Sequence, residues 1–178
     1  ISVLANEPIK IGLNFPRTGN YKAEGLELMQ GSLLAIEHIN HNGGVLGRPL
    51  QLLSKNSASR AEKAQRNVDE FFRSEAKMIF GGATSEEAIA AGRRARELGL
   101  PYFALLSYAN EVTGREGHRY IFHESNNNWM SAQVLGEYLS WHMPRQRYHY
   151  IISNATQRYN EYPGNAAASA YSVVYQWA

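Results

Sequence analysis

The chain has 178 residues, enough for one domain or for one domain and part of a second. Its balance of 44% hydrophobic and 19% charged residues builds a core and argues against disorder, and a net charge of +2 calls for neither nucleic acid nor a membrane surface as partner. No apolar run reaches the length of a transmembrane span, and the absence of cysteine removes disulfides, thiolate chemistry and zinc–cysteine sites together, which is compatible with an oxidising compartment.

Ile9–Phe15 (IKIGLNF) alternates and then runs apolar, as a central strand does, and Pro16–Asn20 is a loop. From Glu24 to Asn40 the residues Leu28, Leu33, Ile36 and Ile39 fall at helical spacing and predict an amphipathic helix. Asn42-Gly43-Gly44 ends it, glycine being able to take the left-handed conformation beyond a helix. Val45–Pro49 reads as a turn, Leu50–Leu53 as a second strand, and Asn56–Ser59 as the lead into a helix over Ala61–Arg73. Met78-Ile79-Phe80 is the third strand, followed by Gly81-Gly82 and an alanine-rich helix to Gly99. Pro101 opens a fourth strand, Tyr102–Leu106, and Tyr120–His123 forms a further one. Beyond these come a helix over Trp129–Met143, a strand over Tyr148–Ser153 and a last helix over Ala166–Ala178.

Strands alternating with helices at these intervals give βαβ units, hence an α/β fold with a parallel sheet and helices on both faces. Such sheets bind ligands at the carboxyl ends of their strands, near a switch in strand order. The loops after Phe15, Phe80 and Leu106 therefore open on one edge. Within the second, Thr84 and Glu87 stand at capping-box spacing, while the glycines and the amides of a helix start suit an anionic group. The same letters also describe a well-capped connection that holds no ligand.

Catalytic patterns are scarce: neither a G-x-S-x-G elbow nor a Walker sequence occurs, and Gly81-Gly82 is too short for a dinucleotide fingerprint. His38 and His41 share a helix face without a third metal ligand nearby in sequence, so no metal and no cofactor are expected. His123-Glu124-Ser125 is a triad only in letters, because neighbours on a strand point to opposite faces. Arg93, Arg94 and Arg96 read as a solvated helix face. Tyrosine occurs eleven times, and Tyr21 and Tyr108 fall in two of the three loops, where an aromatic wall suits a small-molecule cleft.

In IKIGLNFPRTGNYKAEGLELMQGSLLAIEHINHNGGVLGRPLQL and GGATSEEAIAAGRRARELGLPYFALLSYANEVT, the order and spacing resemble the type I periplasmic-binding-protein family, in particular leucine/isoleucine/valine-binding proteins. HRYIFHESNNN resembles the crossover into a second lobe, and RYNEYPGNAAASAYSVVYQWA the late helix that packs back on the first. The resemblance implies a three-layer Rossmann-like lobe and a non-enzymatic, hinge-closing protein that captures a small solute in its cleft. It further implies an exported protein, periplasmic or extracellular, that commonly serves an ABC transporter permease. No signal peptide is read at the N-terminus, and Ile1 with its irregular lead fits a mature end left after one is removed.

By position, Ser85 matches the serine that binds a ligand carboxylate, beside Thr84, and Leu106 and Ser107 match backbone positions that touch the head group. Tyr108 stands where amino-acid binders carry threonine, and Glu24 where they carry an aromatic residue. These departures leave amino acids, amides and aromatic acids open as ligands. The expected lobes are 1–122 with 158–178, and 123–157 as the start of a second lobe whose remainder is deleted or absent. The alternatives are a ligand-sensing receptor or regulator domain of the same fold and, more remotely, a flavodoxin-like enzyme.

Overall fold

In the computed structural model, which describes residues 7–142, five strands form one sheet. They are β1 (Ile9–Phe15), β2 (Leu50–Asn56), β3 (Met78–Gly81), β4 (Tyr102–Ala104) and β5 (Ile121–His123). Every pairing is parallel and the order is β2-β1-β3-β4-β5. Helices α1 (Lys22–His41), α2 (Ala61–Arg73) and α3 (Ser85–Leu98) make the first three crossovers, and α4 (Asn128–His142) follows β5. The strand expected at 148–153 and the helix expected at 166–178 lie outside the described residues.

The chain steps one way from β1 to β2 and the other way from β2 through β3 to β4. Right-handed crossovers therefore place α1 on one face and α2 with α3 on the other. The face under α2 and α3 carries the in-register row Gly12, Ile79, Tyr102 and Ile121, with the last three buried. Glycine is required at position 12, since a Cβ there would lie 2.8 Å from the Phe71 ring of α2. Gly92 of α3 is matched in the same way to Ile121, at 2.6 Å from its Cδ1. Arg94 ties the two helices together, reaching Asp69 of α2 at 2.7 Å and pairing with Glu97 on its own helix. The basic run is thus not only a solvated face, for Arg93 also pairs with Glu116 at 2.7 Å.

The opposite face is covered less completely. Its row is Leu13, Phe80, Phe103 and Phe122; Leu13 is fully buried, whereas Phe122 is 47% exposed and stacks on Phe103 with centroids 4.8 Å apart. Of the apolar positions that predict α1, Leu28 and Ile36 are half-buried while Leu33 and Ile39 are exposed. Periodicity identified the helix but not how much of its apolar face would be covered. α1 ends as expected, with Gly43 and Gly44 at φ of 93° and 74° and the Gly44 amide donating to Ile39 at 2.9 Å.

Two strands differ from the sequence expectation by more than one residue. β2 runs on through Ser54, Lys55 and Asn56, since these still pair with Leu13, Asn14 and Phe15. An edge strand has one open side, so polar residues do not end it. β4 stops at Ala104, and Leu105-Leu106 turns toward the glycines after β3. The chain divides into two compact units, Ile1–Ser107 with Glu111–Ser125 and Tyr108–Asn110 with Asn126–Ala178. The first contains the sheet and its three crossover helices; the second contains α4.

Candidate functional site

All five strands point the same way, so their carboxyl ends share one edge, and the order of strands reverses between β1 and β3. A crevice opens beside such a reversal because the flanking connections leave toward opposite faces. The segment at this point is Gly81-Gly82-Ala83-Thr84-Ser85.

Its backbone is tightly specified. Gly81 and Gly82 hold φ of 126° and 86°, a region that side chains with a Cβ rarely enter. A Cβ on Gly81 would lie 2.1 Å from the Asn14 carbonyl oxygen, while the Gly82 amide donates to that same oxygen at 2.8 Å. Asn14 is itself fully buried: its Nδ2 donates to the Ala64 carbonyl at 2.8 Å and its Oδ1 accepts from Asn67 Nδ2 at 2.9 Å. The β1–β3 junction is thereby bolted to α2.

Thr84 is the N-cap of α3, its hydroxyl accepting the Glu87 amide at 3.1 Å, and Ser85 is the first residue of the helix. The Glu87 carboxylate turns back, but to the Ala83 amide at 2.9 Å rather than to the cap residue itself. Glu87 is 1% exposed, and its second oxygen, Oε1, has no hydrogen-bond partner among the described residues. The buried Tyr102 hydroxyl donates to the Gly81 carbonyl at 3.3 Å, and burial, followed by the charge of Glu87, pushes its ionisation well above the usual phenol range. Tyr102 is therefore a neutral donor under the glycine turn.

The loop after β4 is stitched to this junction. The Leu105 amide donates to the Gly81 carbonyl at 3.1 Å and the Leu106 amide to the Gly82 carbonyl at 3.3 Å. The loop after β1 arrives from the other side, where Gly25 of α1 sits so close to Pro16 that a Cβ would lie 2.0 Å from the Pro16 carbonyl oxygen. Between α1 and the β4 loop lies an open recess of about 400 Å³, lined by Glu24, Glu27 and Leu28 on one side and Leu105 and Leu106 on the other. That volume falls within the roughly 300–1,000 Å³ of small-molecule sites. Of the candidate residues, Thr84 and Ser85 follow the glycine turn that is stitched to Leu105 and Leu106, Ser107 comes next in that loop without a bond to the turn, and Glu24 shares its recess with Leu106. Tyr108 begins the second unit and is 37% exposed; Tyr21, just before α1, is 40% exposed.

The structure also brings together residues that sequence reading left apart. His123 Nε2 and Ser125 Oγ both hydrogen-bond the Ser107 carbonyl. Ser125 follows two residues after His123, the last residue of β5, and that spacing was the available signal. His38 and His41 are exposed in the last turn of α1, and among the described residues no three His, Cys, Asp or Glu side chains gather as metal ligands.

A family described as periplasmic binding protein has a sequence model that matches residues 8–172. A Leu/Ile/Val-binding protein homolog of Brucella abortus is 32% identical over 117 residues, covering 64% of this chain and 28% of that protein. The branched-chain amino acid transporter substrate-binding protein LivJ of Streptococcus pneumoniae, solved with isoleucine, superposes with a TM-score of 0.70 at 26% identity, over 78% of this chain and 39% of its own. A solute-binding protein of an ABC transporter from Rhodopseudomonas palustris, solved with 3,4-dihydroxybenzoic acid, has a TM-score of 0.68 at 21% identity, over 78% of this chain and 37% of its own, a likeness of fold alone. The chain thus spans well under half the length of each of these proteins.

Proposed function

The chain belongs to the periplasmic binding protein family, and from that premise we propose that it forms the first lobe of an exported solute-binding protein that captures a small polar ligand without catalysis. The observation that carries this reading is the glycine turn at the strand-order reversal, with a capped helix start on one side and the β4 loop hydrogen-bonded to it on the other. In this reading Ser85 and Thr84 hold an anionic head group at the start of α3, where amides and the helix dipole favour negative charge. Leu106 supplies a backbone contact and Tyr108 an aromatic surface, while Ser107, buried with its amide and carbonyl both hydrogen-bonded within the protein, contributes by shaping the loop rather than by touching the ligand through its backbone.

Glu24 bears on ligand class. It is half-buried in the same recess as Leu106, with Glu27 beside it and no lysine or arginine in the lining. A carboxylate in that place favours a ligand carrying N–H donors or a cationic group, as amino acids and amides do. The isoleucine bound by the Streptococcus pneumoniae neighbour supports including amino acids in a first screen, and the tyrosine at 108 keeps aromatic acids in it. In this proposal the sheet through β5 belongs to lobe one, and lobe two begins beyond it. Ligand binding shifts the population toward a closed form that excludes water, and an ABC transporter permease in the envelope of the cell receives the solute.

Thermal denaturation of the full-length protein with L-leucine, L-isoleucine, L-glutamine, acetamide and 3,4-dihydroxybenzoate tests the reading. A ligand present at a hundred times its Kd adds about 2.7 kcal/mol of stability, a rise in Tm of roughly 5–10 °C. No shift with any of the five at millimolar concentration counts against solute capture of these classes.

A further inference from the structure

The chain passes between its two units after Ser107, before Glu111 and after Ser125. Within the first unit, two of these exit points are tied to each other. Ser107 is fully buried, and its carbonyl accepts hydrogen bonds from His123 Nε2 and from Ser125 Oγ, the latter at 3.1 Å. A carbonyl can only accept, so both partners must present a proton to it, which assigns the Nε2–H form to His123. The Ser125 hydroxyl lies 3.0 Å from the same ring nitrogen, so the three groups form one compact cluster. Pairing of Ala104 with His123, and the Glu124 amide bond to the Ala104 carbonyl at 3.0 Å, set this cluster beside the end of β4.

Two donors on one carbonyl occupy both of its lone pairs, and the Ser107–Tyr108 peptide cannot turn without breaking both bonds. The peptide is trans and planar, so the Tyr108 N–H points opposite to the pinned carbonyl. One residue earlier, the Ser107 amide closes on the Leu105 carbonyl at 3.0 Å. The loop is therefore held at both ends, its Leu105 and Leu106 amides by the glycines after β3 and its Ser107–Tyr108 peptide from the side of β5. We propose that His123 and Ser125 are positioning residues that lock the Ser107–Tyr108 peptide and so keep the β4 loop in the shape that receives a ligand head group. The inference rests on the solute-binding reading above.

The test uses the full-length protein carrying Ser125→Ala, His123→Ala, both together, or His123→Gln, whose amide can still donate at similar reach. L-isoleucine, acetamide and 3,4-dihydroxybenzoate are titrated calorimetrically into each. Ser107-Tyr108 is the single Ser-Tyr pair in this sequence; carbonyl-¹³C serine with ¹⁵N tyrosine reports on such pairs by NMR, and loss of one correlation in Tyr108→Phe identifies it in the full-length protein. The double variant should bind the best of the three probes roughly tenfold or more weakly, with the Ser107 carbonyl resonance moving upfield. His123→Gln should restore affinity to within about threefold of wild type, and Ser125→Ala alone, which decides the matter if the double variant does not fold, should weaken binding by about threefold. Unchanged affinity in variants that lack the donors, or an unmoved Ser107 resonance, overturns the positioning role and leaves solute binding intact. A wild-type protein that binds none of the three overturns the solute-binding reading and this inference with it.

Discussion

The turn at Thr84-Ser85 presents two hydroxyls side by side that should behave oppositely when removed. Thr84 caps α3 through its bond to the Glu87 amide at 3.1 Å, and truncating such a cap costs about 1 kcal/mol. For a chain of this size that lowers Tm by about 3 °C. Thr84→Ala should therefore lose stability while its backbone amide, and hence ligand affinity, is largely kept. Ser85 is the first residue of the helix rather than its cap, so Ser85→Ala should cost less stability than Thr84→Ala. If its hydroxyl donates to a ligand carboxylate, however, the loss is about 1.5–3 kcal/mol, roughly tenfold to a hundredfold in Kd. Calorimetric titration of the best hit from the screen, with thermal denaturation of the same samples, measures both quantities. Wild-type affinity in Ser85→Ala would refute the head-group assignment, and a greater affinity loss in Thr84→Ala would move the anchor to the cap residue.

Gly81→Ala should destabilise by about 3 kcal/mol or more, because its Cβ would press 2.1 Å from a backbone oxygen of a central strand; equilibrium urea unfolding measures this, and a loss under about 1 kcal/mol would show that β1 and β3 can part locally. Asn14→Ala removes both buried bonds to α2 at once and should cost about 2–4 kcal/mol in the same assay. Hydrogen bonding to Arg93 holds the Glu116 carboxyl below its ordinary value of 4.5, and the bond to Lys55 does the same for Glu70. Each folded pKa is depressed, so each contribution is complete above the unfolded value and is lost as pH falls through the folded one. Stability measured from about pH 6 down to about pH 3 should therefore decline mainly below 4.5, and Glu116→Gln should flatten part of that decline; an identical slope in the variant would remove Glu116 from the account.

Local patterns were legible where local physics decides them. The span of β1 and that of α2 agree with the sequence reading residue for residue, because alternation, periodicity and the flanking loops point the same way. The Thr84 cap was equally readable, since its hydroxyl bonds an amide three residues on. Tertiary circumstances were not. The polar end of β2 continues as strand because β1 continues beside it, and Leu105-Leu106 leaves the sheet because two glycine carbonyls from another loop accept its amides. The burial of Asn14 depends on Ala64 and Asn67, some fifty residues away, and nothing in its own neighbourhood announces it. His123 and Ser125 lie between these cases: they stand close in sequence at the end of β5, but their shared partner at Ser107 came from a different segment.

The strand order has a consequence for the sequence of events in folding. β1 and β2, joined by α1, can pair as soon as residue 56 has been made, while the other edge of β1 stays open until β3 appears. Domains assembled during synthesis gain their elements from the N-terminus onward, and non-local pairings close last. The Gly81 and Gly82 carbonyls acquire their partners only when Leu105 and Leu106 arrive, and the Ser107 carbonyl only when β5 does. A nascent chain halted after α3 would already hold a three-stranded sheet with two helices packed together, yet it would still lack the β4 loop on which the proposed solute site depends.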